Sequence, residues 1–218
     1  MSQQLLGVGI IVLWLAVVAT TALQVRQRWP DQREWSRKVV HIGTGPVVLL
    51  AWWLGIGRPL ALTAAALVTL LTALNHRYRL LPAVEDVGRH SYGTIAYGAA
   101  ITLLLAWFWP NQPLAVAAGV LVMACGDGLA GLLGPQLNTP RWQLLGQTKS
   151  LAGTGTMAMA SFTVLALLTL LAPATAPTPL TLLLIAAVAT LLEQLSRYGL
   201  DNLTVPLATS LLWAHWSP

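Results

Sequence analysis

Pro113 to Gly134 reads PLAVAAGVLVMACGDGLAGLLG, a stretch with a single charge, Asp127. A spanning helix needs about 20 mostly apolar residues, so this stretch has the length of a bilayer crossing. The same test applies outward along the chain. Met1 to Val25, Val39 to Gly57 and Pro59 to His76 carry no charged residue. His90 to Gly126 and Ser150 to Leu192 are too long for one helix each; PNQP at Pro110 to Pro113 breaks the first and PATAPTP at Pro173 to Pro179 breaks the second. Asn202 to Pro218 is a shorter apolar tail. The chain therefore reads as all-α, a single integral membrane domain over residues 1–218. It is expected to be a polytopic helical bundle with seven spans, near 5–25, 39–56, 59–75, 92–109, 114–134, 150–172 and 180–197. A short or re-entrant C-terminal helix is expected near 203–216. No internal repeat and no low-complexity linker is visible.

Composition agrees. Hydrophobic residues make up 56% and charged residues 9%, where a soluble domain is about 25% charged. That excludes an ordinary soluble enzyme, a disordered protein and a nucleic-acid binder. The net charge of +5 is spread over loops, not gathered into a stripe that could track a phosphate backbone. One cysteine, Cys125, excludes a disulfide framework and a Cys-based zinc site. The first span is expected to be retained, because it lacks the positive n-region of a signal peptide.

Eleven of the twelve Lys and Arg fall in alternate loops: Arg26, Arg28, Arg33, Arg37 and Lys38; Arg77, Arg79 and Arg89; Arg141 and Lys149; Arg197. Only Arg58 lies on the opposite side. The positive-inside rule then predicts an N-terminus outside and four cytoplasmic basic loops. Trp52, Trp53, Trp107 and Trp109 at outer helix ends, with Trp29, Trp35 and Trp142 near inner ones, read as an aromatic belt.

Two acids interrupt this pattern. Asp127 follows Pro113 and Glu193 follows Pro179 at one and the same spacing, both counted from outer helix ends. At about 1.5 Å per residue each sits about 21 Å into a core about 30 Å thick. Intramembrane acids are costly and mark functional sites by default, so equal depth predicts one shared polar site; the bland reading is two separate acids, each paired with Arg or Lys. Asp127 lies in GDGLAGLLG, Gly126 to Gly134, and its dense glycines suit close backbone approach by a helix or a ligand. The G-x-G-x-x-G match there is weak, because no βαβ unit surrounds it.

The sixth span starts after GQTKSLAGT, Gly146 to Thr154. Free N–H groups and the helix dipole favour an anion there, with Lys149, Ser150 and Thr154 beside them. The spacing is not a Walker P-loop. Lys149 is expected to stand beside Glu193, since the sixth and seventh spans form an antiparallel hairpin; a direct ion pair is the bland reading of that proximity. Arg37, Lys38 and His41 open the second span, with Arg37 and His41 on one face. Arg89, Ser91, Tyr92, Thr94 and Tyr97 open the fourth on the same side, and Asp201 and Asn202 follow the seventh.

RKVVHIGTG (Arg37 to Gly45), RHSYGTIAYG (Arg89 to Gly98), GDGLAGLLG, GQTKSLAGTGTMAM (Gly146 to Met159) and EQLSRYGLDNLTVPL (Glu193 to Leu207) occur in order. Together, over about residues 37–218, they resemble the CTP-dependent polyprenol kinases, which include dolichol kinase, phytol kinase and the yeast-type diacylglycerol kinase. The short chain and the form of the Arg89 to Gly98 segment look most like the phytol kinases of cyanobacteria and plastids. The resemblance implies transfer of the γ-phosphoryl group of CTP or UTP to a long isoprenoid alcohol, phytol first, in a plasma or thylakoid membrane. It implies Mg²⁺ as the cation, with Asp127, Glu193 and Asp201 as ligands and Asp127, Lys149 and Glu193 as catalytic groups. Arg37, Lys38, His41, Arg89, Lys149, Ser150, Thr154, Asp201 and Asn202 are the nucleotide-binding candidates. Which acid is ligand and which is base stays open, as does the oligomeric state. The competing readings are another lipid-alcohol kinase, a CDP-lipid cytidylyltransferase, a small transporter and a non-catalytic assembly factor. Transporter sites sit near the midplane between repeats, whereas these acids lie toward one face.

Overall fold

The computed structural model describes residues 2–78 and 91–217. Its helices are α1 (Ser2–Arg28), α2 (Arg33–Thr44), α3 (Val47–Trp53), α4 (Arg58–Tyr78), α5 (Gly93–Phe108), α6 (Pro113–Leu121), α7 (Gly128–Gln136), α8 (Leu151–Thr169), α9 (Pro179–Leu195) and α10 (Asp201–Trp216). A π-helical segment, Val122–Asp127, joins α6 to α7, and a 3₁₀ turn, Pro173–Thr175, precedes α9. Two short antiparallel strands, β1 (Arg141–Leu144) and β2 (Gln147–Ser150), complete the described chain.

Among the described residues, four helices are long and apolar enough to cross a membrane: Gln3–Arg28, Arg58–Tyr78, Pro113–Gln136 and Leu151–Thr169. α5 and α9 are apolar but shorter. The expected second span, 39–56, is divided between α2 and α3. Gly45 and Pro46 interrupt it, and a proline has no N–H to carry a helical hydrogen bond across the break.

Pro113–Gln136 forms the centre. Val116, Ala117, Ala118, Val122, Met123 and Ala124 have no exposed surface. α10 packs against α5, α6 and α9; α8 packs against α7, α9 and the π segment; α2 packs against α7. Small residues make this possible, because helices in an apolar solvent associate through close van der Waals contact. Gly119 carries the tightest case: a Cβ there would lie 2.2 Å from Ser210 Oγ and 2.3 Å from the Pro206 carbonyl oxygen. α1 and α4 are peripheral, leaving Leu13, Val17, Leu67 and Leu70 exposed.

The hairpin was not expected from the sequence. Its turn residues, Leu145 and Gly146, both have positive φ, 52° and 77°. Turns of that hand suit a two-residue connection between twisted strands, but leucine is a poor marker for them.

Candidate functional site

Asp127 ends the π segment in the middle of the most buried helix of the protein. The extra residue per turn in a π segment marks many functional positions. Lys38 of α2 reaches it, donating from Nζ to Asp127 Oδ2 at 2.6 Å and to the Asp127 carbonyl oxygen at 3.0 Å. The lysine is only 3% exposed, and a buried charge is tolerated when it is paired and hydrogen-bonded. Gly131, one turn along α7, makes room: a Cβ there would lie 2.5 Å from Lys38 Cε. His41 Nε2 is 3.3 Å from Asp127 Oδ2 and 3.2 Å from the Met123 carbonyl oxygen. Both neighbours are acceptors, so Nε2 carries the proton. The ring stacks on Tyr97, centroids 4.6 Å apart.

A second pair repeats the pattern. Lys149 on β2 donates from Nζ to Glu193 Oε1 at 2.5 Å and to the Glu193 carbonyl oxygen at 2.9 Å. Gln194 Nε2 donates to Glu193 Oε2 at 2.8 Å and to Thr154 Oγ1 at 3.0 Å. The expected proximity of Lys149 and Glu193 is therefore present, as a direct ion pair. Asp127 and Glu193 each have their own lysine.

Both pairs line one cleft of about 850 Å³. Arg37, Lys38, Asp127, Lys149, Ser150, Thr154, Glu193, Asp201 and Asn202 all border it. His41 does not; it stands behind Asp127. Arg89 lies outside the described residues. Arg37 is bound to Glu34 by Nε at 2.9 Å and by Nη2 at 2.6 Å. Asp201 accepts from Ser196 Oγ at 3.1 Å and has no cationic partner among the described residues.

The start of α8 differs from the anion cradle read in the sequence. Leu151 N donates to the Pro140 carbonyl oxygen, Ala152 N to Thr139 Oγ1 and Gly153 N to the capping Ser150 Oγ. Ser150 Oγ itself donates to the Gly134 carbonyl oxygen, and Thr154 Oγ1 to that of Ser150. The first-turn donors and hydroxyls expected to meet phosphate are thus engaged inside the protein. A helix start leaves orphan N–H groups, but here the residues before β1 and the N-cap satisfy them.

Gln194, Arg141 and Arg197 also border the cleft. Gln194 is adjacent to Glu193, and that adjacency was the available signal. The two arginines read in sequence only as loop charges.

No group of three or more His, Cys, Asp and Glu side chains forms a metal cage among the described residues. The carboxylates nevertheless suit Mg²⁺ supplied with a nucleotide, because that ion binds through one or two carboxylates, water and substrate phosphates.

The chain is 41% identical over 214 residues to a phytol kinase of Synechocystis sp., covering 96% of this chain and 91% of that one. It is 29% identical over 202 residues to phytol kinase 1, chloroplastic, of Arabidopsis thaliana, covering 83% and 66%. It is 28% identical over 141 residues to a farnesol kinase, chloroplastic, of the same plant, covering 58% and 44%. No family model matches the chain, and no solved structure matches it.

Proposed function

The chain belongs to the phytol kinase family, and from that premise we propose that it phosphorylates phytol with CTP, giving phytyl phosphate and CDP. The observation that carries this reading is one cleft in which two intramembrane acids, Asp127 and Glu193, far apart in sequence, stand with polar and cationic groups. Phosphoryl transfer asks a protein mainly for positioning and for charge that offsets the phosphates. The alcohol's tail lies between apolar helices, and its hydroxyl reaches Asp127. That oxygen bonds to the γ-phosphorus as the bond to the β-phosphate oxygen breaks, CDP departs, and Asp127 takes the hydroxyl proton. Lys38 and His41 hold Asp127 in place for this. Glu193 and Asp201 would hold Mg²⁺ brought with CTP, which would offset phosphate charge.

The same reading sets the chain in its membrane. α1, the α2–α3 unit, α4, α5, the α6–α7 unit, α8 and α9 are its seven crossings, and α10 is the short eighth helix. The N-terminus faces out and the cleft faces the cytoplasm, where the eleven basic loop residues lie.

Product analysis tests the proposal. Purified protein receives CTP with phytol, geranylgeraniol, farnesol, dolichol or diacylglycerol in turn. Phytyl phosphate with stoichiometric CDP supports it. A CDP-lipid with pyrophosphate, or no phosphorylated isoprenoid, contradicts it.

A further inference from the structure

Among the described residues, five cationic side chains border the cleft: Arg37, Lys38, Arg141, Lys149 and Arg197. Three are already matched to carboxylates: Arg37 to Glu34, Lys38 to Asp127 and Lys149 to Glu193. The other two are not. Arg141 Nη2 donates to the Pro135 carbonyl oxygen at 3.0 Å, and Arg197 Nε donates to that of Leu145. Neither arginine is paired with a carboxylate among the described residues. A neutral carbonyl orients a guanidinium without cancelling its charge. Each fork has five N–H donors, so most of each remains available, and both residues are exposed.

The two arginines meet at one element, the β1–β2 hairpin. Arg141 opens β1, opposite Ser150 in the register. Arg197, just past α9, clasps the hairpin's tip, and a Cβ on Gly146 would lie 3.4 Å from its Nη2. β1 rises about 13 Å at about 3.3 Å per residue. The forks therefore enter the cleft from the two ends of one hairpin, at a separation that long side chains can close around a chain of phosphates.

We infer that Arg141 and Arg197 are the phosphate-binding arms of this cleft, taking the triphosphate of the nucleotide. This rests on the reading that the cleft receives CTP. It moves the phosphate contacts away from Lys38 and Lys149, whose charges are matched to acids. Guanidinium forks bind phosphate oxygens two at a time, which an ammonium cannot do. The same chemistry would suit an anionic lipid headgroup, but the arginines border the cavity that also holds Asp127, Glu193 and Asp201, so the nucleotide is the occupant favoured here.

The test uses the full chain in neutral detergent and in phosphatidylcholine vesicles with or without phosphatidylglycerol. Arg141→Gln, Arg197→Gln, Arg197→Lys and the double glutamine variant are compared with the wild type. Titration calorimetry measures binding of CTP and of inorganic tripolyphosphate, and kinetics measure KM for CTP and for phytol. Each glutamine variant is expected to raise Kd for both anions, and KM for CTP, by about tenfold or more, in every lipid setting and with KM for phytol unchanged. Arg197→Lys should recover only part of the loss. Wild-type Kd values for both anions in the double variant overturn the inference. So does a defect that appears only with phosphatidylglycerol, which assigns the arginines to lipid headgroups. Arg141→Gln leaves the hairpin tip intact and decides the matter should Arg197→Gln lower the melting temperature. Tripolyphosphate binding that depends on the arginines, without transfer from CTP, would keep the arms and remove the CTP reading.

Discussion

The two lysine–acid pairs have the same chemistry and different supports. In both, one ammonium bonds the carboxylate and the main-chain carbonyl of the same acidic residue. Lys38 is held between helices, pressed on Gly131 and only 3% exposed. Lys149 sits on a two-stranded hairpin at the rim. The difference teaches that a carboxylate can be paired with a cation in an apolar bundle in two ways. One way is closure by packing, which makes the pair part of the core. The other is closure by a local element, which leaves the pair's energetics more separable from the fold.

The largest effect that sharpens this contrast is expected at Asp127. Asp127→Asn keeps size and removes charge, so turnover should fall by about 10²- to 10⁴-fold, the range for loss of a positioned proton acceptor. Glu193→Gln should lose less and shift the Mg²⁺ requirement upward. Equal activity in Asp127→Asn and wild type, in protein of unchanged melting temperature, would break the assignment.

Stability should separate the pairs next. Lys38→Met leaves a largely enclosed carboxylate without its cation, and that costs up to about 3–5 kcal/mol; denaturant titration in mixed micelles measures it. Lys149→Met at the rim should cost less and act through Glu193, shifting the Mg²⁺ requirement in the same direction as Glu193→Gln. Replacing Lys149 and Glu193 together by apolar residues should restore stability without activity. A double variant with full kinase activity would reduce that pair to a structural clasp.

A smaller loss is expected at the packing contact itself. Gly131→Ala drives a methyl group into Lys38, and overpacking of this kind costs about 1–3 kcal/mol. A melting temperature equal to wild type would mean that the lysine moves aside freely and that packing does not close the first pair.

The orientation of both pairs can be checked with no change in activity. After Cys125 is replaced, cysteines at Gln112 and Thr175 should react with impermeant reagents from outside, and cysteines at Gln32 and Asn138 should not. Reversed labelling would put the cleft on the side away from cytoplasmic CTP.

Much of this arrangement was legible in the sequence because a bilayer constrains a chain simply. Apolar run length located most helices, and the equal spacing from Pro113 to Asp127 and from Pro179 to Glu193 predicted one shared polar site, and both acids do line one cleft. The rest depended on contacts that no periodicity encodes. An uncharged run hid the break at Gly45 and Pro46, because run length by charge carries no mark of a helix interruption. The hairpin turn lay on Leu145, whose positive φ has no compositional signal. The N-terminal donors of α8 read as free in the sequence because Pro140 and Thr139, which engage them, lie before the hairpin and well ahead of the helix. Arg197 reads in the sequence only as a loop charge, because its proximity to Leu145 and Gly146 exists only after folding.

The most direct measurement follows two labels from CTP in the wild type and in Asp127→Asn, with phytol as acceptor. The account predicts that the wild type puts the γ-label in phytyl phosphate and leaves the α-label in CDP, while Asp127→Asn, equally folded, moves neither at more than about a hundredth of that rate. The α-label in lipid, or γ-label transfer by Asp127→Asn at the wild-type rate, would contradict it.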